Sequence, residues 1–556
     1  MPSSISDSEL KDSPHPTFAS NSPPATNGVL PDSSSTAGSD EAILAQLGYK
    51  QEFRREFTNL STISFAMSIM GVASSVVTTF NTPFTLGGPA SVVWCWFIGA
   101  CFNFCLGTSI AELVSAYPTN GGLYSASVYL VPKRQRAFMG WSVGWLNLLG
   151  QVAGVASTEF GLAQMIFAAA RSPTFVSLST GGNFVANAWQ TYLLFLGLLV
   201  IHGILNSFGT RMLASMTRTF VFFNIGTVVA VVISLLVCTK EKNSASYTFT
   251  HNINGSGWSS QGLTFLLGLL SVQWTMTDYD ATCHISEEVK RASVAAPAAI
   301  WIAVLGTGVA GWIYNIVFVL CSGNLSDLGE LGVSGYAPAE ILWRNVPEKL
   351  FYVLWAFICL IAFQVVATAT HANARSFYAF SRDKGMPDRG FFHKLARNQI
   401  PINAVWLVLF ISALMGLLVF ASYVAVNAIF ALAAMAMDTS YIIPIVARMI
   451  YADHPEVMFK PGPFTMGDGF LGWAIRIISV LWVSTVVVIL ALPTVRPVIP
   501  ANMNYASVVT LGVVFIATLC YLGIGRKIYR GPRNVLAEEG ITPKALTGDD
   551  DLQEVK

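Results

Sequence analysis

Between residues 58 and 525 the sequence runs through twelve apolar segments, centred near residues 70, 102, 155, 199, 227, 272, 309, 366, 412, 437, 483 and 515. A hydrocarbon core of roughly 30 Å takes about 20 helical residues to cross, and each segment is that long or nearly so. The runs are continuous, carry Gly and Ala throughout, and show no short-period alternation of apolar and polar side chains. Such runs form helices and not a barrel, because only a helix closes its own backbone hydrogen bonds within one segment. The predicted fold class is therefore an all-α polytopic membrane protein with 12 transmembrane helices. Composition agrees: 53% of the residues are hydrophobic and 11% charged, against roughly a quarter charged in a soluble domain. The mean hydropathy of +0.56 is spread along the chain, which excludes a single-pass receptor or enzyme.

Formal charge is +1, so no basic stripe is available to track a phosphate backbone. The expected surroundings are a lipid bilayer and not nucleic acid. The eight cysteines fall mostly inside apolar runs, where they act as small buried hydrophobes, and no disulfide framework is expected. Cys238 and Cys321 lie near helix ends on one side, where a bridge is conceivable but not expected.

Residues 1–57 are rich in Ser, Pro, Asn, Asp and Thr and read as a disordered tail, and residues 526–556 as a second polar tail. The N-terminal stretch lacks a basic start followed by a short apolar core, so the first span is expected to direct insertion itself. Between the tails, residues 58–240 hold spans 1–5, residues 241–450 hold spans 6–10 and residues 451–525 hold spans 11 and 12. Lys and Arg gather before span 1, between spans 2 and 3, after span 6, between spans 8 and 9 and after span 12, which puts both termini in the cytoplasm. The sequons at Asn254 and Asn324 then fall in outer connections, where glycans are attached. The plasma membrane is the expected location, with a vacuolar or other organellar membrane as the alternative. The tails, with Lys11 and Lys50, would suit ubiquitin-ligase adaptors.

Two spans carry helix-weakening interruptions. Span 1 contains Gly71-Val72-Ala73-Ser74-Ser75, a Gly followed by small and hydroxyl residues. Span 6 contains Trp274-Thr275-Met276-Thr277-Asp278-Tyr279-Asp280, with two carboxylates at membrane depth. Each opens one five-span half, as in transporters built from inverted repeats. Unwinding frees N–H groups that can hold a carboxylate and carbonyls that can hold an ammonium, so a zwitterionic amino compound fits. Small residues also line ordinary helix contacts, which is the bland alternative for Gly71. Asp278 and Asp280 are harder to explain that way, since carboxylates in hydrocarbon must be paired or line a cavity.

Three motifs then carry a resemblance: Ala111-Glu112-Leu113-Val114-Ser115-Ala116-Tyr117-Pro118-Thr119-Asn120-Gly121-Gly122, the run from Trp274 to Ala281 continuing to Glu287 and Glu288, and Ser381-Arg382-Asp383-Lys384-Gly385. With them the chain resembles the amino acid–polyamine–organocation superfamily, and within it the fungal GABA and choline permease group. The resemblance implies a LeuT-like fold, with a five-plus-five inverted repeat and two added helices. It also implies proton-coupled uptake of GABA, another amino acid or choline, with no cofactor or metal. Span 1 reads Gly71-Val72-Ala73 where a Gly-x-Gly turn is usual, and span 6 has Thr277 and Asp278 near where Gly and an aromatic are usual, which suggests a narrower, more polar pocket.

The expected substrate site joins the backbone and hydroxyls of Gly71, Val72, Ala73, Ser74 and Ser75, for the carboxylate, to a wall of Trp274, Thr277, Asp278, Tyr279 and Asp280. For a quaternary amine the aromatics would act as a cation–π cage. Glu112, Glu287 and Glu288 are candidates to pair with Arg54, Arg55, Lys290 or Arg382 and close the cytoplasmic side. Glu159, Asp438, His202, His284 and His371 are the other ionisable groups at depth, and His371 is the preferred ion-coupling residue. The leading function is a proton-coupled importer of a small amino compound, GABA-like amino acids ahead of choline or a polyamine. A non-transporting nutrient sensor would need a structured cytoplasmic extension. An enzyme is not expected, since no nucleophile, base or metal pattern falls in the spans.

Overall fold

The computed structural model describes residues 33–170, 186–323, 336–421, 423–457, 459–500, 502–529 and 531–532. Among these the chain is helical, with one isolated bridge between Phe57 and Val289 and no strand. The principal helices are α1 (Ser33–Gln46), α2 (Asn59–Met70), α3 (Val72–Thr79), α4 (Pro89–Ala116), α5 (Arg136–Ala170), α6 (Ala188–Ser207) and α7 (Thr210–Cys238). They continue as α8 (Leu269–Thr275), α9 (Ala281–His284), α10 (Ala292–Leu320), α11 (Glu348–Arg382), α12 (Ile402–Gly416), α13 (Tyr423–Ile450), α14 (Phe470–Ala491) and α15 (Ala506–Cys520).

Among the described residues 11 helices are long and apolar enough to cross a membrane, which makes the chain a polytopic helical membrane protein. The expected sixth span is not one of them. It is divided into Gln261–Leu266, α8, α9 and a 3₁₀ turn at Ser286–Glu288, because Gly268 and the Thr277–Asp280 run interrupt its apolar stretch.

Helix starts follow local chemistry. Thr58 caps α2 through a reciprocal box with Ser61. Pro89 occupies the first turn of α4, where its missing N–H is no loss. Glu348 in the first turn of α11 and Arg382 in its last complement the helix dipole.

Packing is closest where small residues meet. Along the α4–α10 contact Ala100 faces Gly308, Gly107 faces Val304 and the Trp96 ring lies on Gly311. Trp96 also donates to the Gly308 carbonyl at 3.0 Å. Such contacts let backbones approach in a bilayer, where apolar burial alone does not drive association. α5 lies between α11 and α13. The first spanning stretch is 89% buried and the last 17%, so α2 and α3 run through the middle of the bundle and α15 along its edge. Phe222, Val237, Leu511 and Phe515 point outward on α7 and α15, an apolar surface suited to lipid.

The N-terminal reading needs correcting within the described part. Ser33–Gln46 is helical, and Leu44, Tyr49, Phe53 and Phe57 are buried on the bundle. A few well-spaced apolar side chains dock this stretch although its average composition is polar. At the other terminus Tyr529 is buried against Trp141 and Phe380, so the described chain stays packed just beyond 525. Asn254 is exposed and Asn324 lies outside the described residues. Cys238 and Cys321 are free thiols.

The α4–α10 contact is directly testable. A Cβ at Gly311 would stand 2.1 Å from the Trp96 ring, whereas one at Gly226 on α7 meets nothing within 4 Å. Gly311→Ala is expected to destabilise by about 1–3 kcal/mol, read as a lower melting temperature in detergent, with Gly226→Ala as the unchanged control.

Candidate functional site

Gly71 separates α2 from α3 with φ of +44°, the left-handed conformation that suits a residue without Cβ. It is also cramped: a Cβ there would lie 2.1 Å from the Val365 side chain on α11. The freed backbone is bonded from α7. Asn224 Oδ1 accepts from the Ala73 N–H at 3.1 Å, and Asn224 Nδ2 donates to the Met67 carbonyl at 3.3 Å. The Ser74 and Ser75 N–H groups return to the Gly71 carbonyl, both at 2.9 Å. One amide side chain thus bridges the break, and its oxygen already sits on an N–H that sequence reasoning gave to a carboxylate.

The second break runs from Met276 to Asp280, between α8 and α9, with Asp278 at φ of +60°. Asp280 is fully buried and accepts from Tyr441 Oη on α13 at 2.5 Å and Asn147 Nδ2 on α5 at 3.2 Å, with His284 Nε2 3.3 Å away. Tyr441 Oη also accepts from the Asp278 N–H at 3.2 Å. Asp280 therefore holds the break in shape. By contrast the Thr275, Thr277 and Tyr279 hydroxyls and Asp278 Oδ1 have no partner among the described residues. A buried polar atom left unbonded costs about 1–3 kcal/mol, so these atoms are where a polar ligand would be stabilised.

The two breaks stand at one level. α3 packs on α8, with Thr79 and Ser271 hydroxyls 2.7 Å apart, and α2 packs on α9. Trp274 and Tyr279 do not pair. Trp274 donates to Ser157 Oγ at 3.0 Å and lies 4.9 Å from the Phe430 ring, whereas Tyr279 faces Tyr441 at 5.4 Å. Above Phe430 lies a cavity of about 260 Å³ lined by Thr78, Thr79, Gln164, Leu270 and Asn504 among others, with hydroxyls and amides but no charged side chain.

The opposite, basic end is tied together by buried ion pairs. Arg382 grips Glu287 with both terminal nitrogens, at 3.1 and 3.0 Å. Arg375 holds Glu288 at 2.8 Å and His371 lies 3.2 Å from it. Tyr378 donates to Glu52. These four, His371, Arg375, Tyr378 and Arg382, share one face of α11 by helical spacing. Asp383 accepts from Tyr49 at 2.8 Å and Tyr124 at 2.9 Å. Burial first, then the Asp383 carboxylate, raise the Tyr49 pKa well above its ordinary value and keep the hydroxyl a donor. Phe57 exchanges backbone bonds with Glu288 and Lys290, and Gln51 donates to the Glu287 carbonyl at 2.7 Å. Asn120 joins from the α4–α5 connection, its side chain accepting from the Glu287 N–H at 2.9 Å.

The remaining expected residues lie elsewhere. Glu112 pairs with Arg476 on α14 at 2.7 Å and accepts from Thr465 and Met466, so it ties α4 to α14 and joins none of the basic residues expected for it. Glu159 lies 3.0 Å from His202, which faces the Phe363 carbonyl at 2.9 Å. Asp438 accepts from Gln273 at 2.7 Å. Asp280, Cys283 and His284 bring ligand atoms within 4.8 Å of one another, a spacing open to a small cation, though here Asp280 is taken up by Tyr441, Asn147 and His284. Asn147, Tyr441, Arg375 and Arg476 were not foreseen. For the first three a signal was present as polar residues three or four positions apart in apolar runs, Asn147 with Gln151, Asp438 with Tyr441 and His371 with Arg375, whereas Arg476 had none.

Residues 57–515 match the family described as amino acid permease. An uncharacterised amino-acid permease of Schizosaccharomyces pombe is 42% identical over 498 residues, 88% of this chain and 89% of the relative. Amino-acid permease 2 of Neurospora crassa is 35% identical over 506 residues, 90% of each chain. A GABA-specific permease of Saccharomyces cerevisiae is 29% identical over 512 residues, 90% of this chain and 87% of the relative.

The closed end makes a defined forecast. Arg382→Ala strands the buried Glu287 carboxylate and is expected to destabilise by about 3–5 kcal/mol. Adding Glu287→Ala should recover part of that loss, so a double-mutant cycle on thermal stability returns a favourable coupling. Strictly additive losses would show that the pair contributes nothing.

Proposed function

We infer that this chain, which belongs to the amino acid permease family and is a multi-pass membrane transporter of amino acids, imports a small zwitterionic amino compound together with protons. GABA or another short amino acid comes first. The observation that carries this reading is the cluster of unbonded polar atoms at Thr275, Thr277, Asp278 and Tyr279, level with the break at Gly71.

A zwitterion would satisfy both sides at once. Asp278 Oδ1 can accept from an ammonium, and the Thr275, Thr277 and Tyr279 hydroxyls can donate to a carboxylate. The positive end of α3 faces the same level and favours the anionic group. Asp280 acts indirectly, by keeping the second break open through Tyr441, Asn147 and His284. A quaternary amine would lack the N–H groups that this arrangement rewards, and Trp274 and Tyr279 face different aromatic partners instead of enclosing one point. The amino acid reading therefore ranks ahead of choline.

Alternating access follows from the asymmetry of the two ends. The neutral cavity above Phe430 would admit substrate, while the pairs of Glu287 and Glu288 keep the basic end shut. With the basic loops inside, that order of opening is import, across twelve spans counting the broken sixth, in a plasma membrane with both tails cytoplasmic.

Expressed in permease-deficient cells, the protein should take up labelled GABA saturably and faster at acid external pH, with amino acids but not choline competing. Competition by choline alone would overturn the zwitterion reading. Gly71→Leu should abolish uptake in protein that still reaches its membrane, because it forces a side chain against Val365; normal uptake would remove the first break from the site. Asp278→Asn should raise the KM about tenfold or more through loss of a charged hydrogen bond.

A further inference from the structure

We propose that Asp438 on α13 is the group that carries the coupling proton; the proposal rests on the proton-coupled reading above. Its side chain is 1% exposed. Oδ2 accepts from Gln273 Nε2 at 2.7 Å, and Oδ1 has no partner among the described residues.

Among the described residues, the side chains bonded to this carboxyl and to its partner are neutral. Gln273 on α8 is locked to Asn103 on α4 by a reciprocal amide pair at 3.1 and 3.2 Å, and Trp482 on α14 donates to Asn103 at 3.1 Å. Tyr279 of the second break contributes a buried hydroxyl, neutral and without a partner among the described residues. Tyr441, one turn along α13, is occupied by Asp280. The charges on α4 and α14, Glu112 and Arg476, are paired with each other. Arg476 stands six residues inward of Trp482, about 9 Å along the helix. Among the described residues no ion pair reaches Asp438. The other carboxylates at depth are placed differently: Glu287 and Glu288 have arginines, Asp280 has three polar partners, Glu159 has His202, and Asp278, the other one with an unbonded oxygen, is only half-buried and lies at the break itself, where a substrate ammonium would pair with it.

A carboxylate without a counter-charge in a low-dielectric interior takes up a proton instead of remaining an anion. The protonated form carries its hydrogen on an oxygen free to receive one, Oδ1. Gln273 is two residues from Thr275, the first of the unbonded hydroxyls at the break. The carboxyl is therefore bonded to the same short helix that would close on substrate. Separation of α8 from α13 would remove the Gln273 bond and admit water, and the acid would then release its proton to that water. Uptake and release at one carboxyl move one proton per cycle, with no other reactant.

The test uses the full-length protein in liposomes enclosing a pH dye. GABA, and separately a mixture of the common amino acids, is added outside, and labelled GABA accumulation under an inward proton gradient is compared with GABA–GABA exchange. The wild type should acidify the lumen on substrate addition. Asp438→Asn should lose acidification and reduce gradient-driven accumulation about tenfold, the size of an ordinary coupling free energy, while exchange persists. Wild-type protein that transports without acidification would overturn proton coupling and this proposal together. A proton-driven wild type with an equally proton-driven Asp438→Asn would overturn the proposal alone. If Asp438→Asn fails to fold, Asp438→Glu decides. It keeps the carboxyl but shifts it by one methylene, so coupled accumulation should persist with a displaced pH midpoint, and an unmoved midpoint would overturn the assignment.

Discussion

A helix that stops inside a bilayer leaves N–H and C=O groups that neither water nor lipid will bond, and every such group must find a protein partner. At each of its two breaks this chain meets part of that demand with one polar side chain from a neighbouring helix, which accepts from a freed N–H. Asn224 supplies both an acceptor and a donor across the break at Gly71. Tyr441 does the same at the second break, accepting from Asp278 and donating to Asp280. The rest follows from these repairs. The breaks persist, the short pieces α8 and α9 can point differently from a straight span, and polar atoms left over from the repair remain for a ligand.

The two ends of the bundle use different physics. On one side the cavity is bounded by hydroxyls, amides and apolar side chains, and Phe430 in its lining is held by ring contact with Trp274. Such contacts yield to small rotations. On the other side buried arginines face buried glutamates, with Asn120 and the stretch from Tyr49 to Phe57 packed around them. Parting a buried pair exposes two charges to a weakly polar interior, which is far more expensive unless water enters as they separate.

Much of this could be read in the sequence. Gly71 followed by hydroxyls, and two aspartates in an apolar run, mark positions where a membrane helix cannot run on regularly, and both are breaks. The pairing of Glu287 with Arg382 also follows from placing acids and bases at one end. Other features were hidden for definite reasons. Glu112 and Arg476 are 364 residues apart, and nothing local says that α4 lies beside α14. Asn224 and Asn147 each look like an ordinary interfacial amide until the break they serve is located. The packed stretch before span 1 was obscured by averaging, because Tyr49, Phe53 and Phe57 recur every four residues inside a polar segment. The sixth span was legible as an interruption but not as separate short helices, since hydropathy does not report where a helix resumes.

The stripe on α11 has a further consequence. His371, Arg375, Tyr378 and Arg382 all project from one rigid helix, and they meet Glu288, Glu52 and Glu287 together. A rigid body that tilts or turns cannot release one of these contacts and retain the rest in good geometry. Were the bundle to open at this end, these contacts would therefore part together and not one by one. A half-open arrangement would hold several stranded charges at once, so it should be passed through quickly and scarcely populated. Such an arrangement would suppress leakage through the energetics of a single helix face.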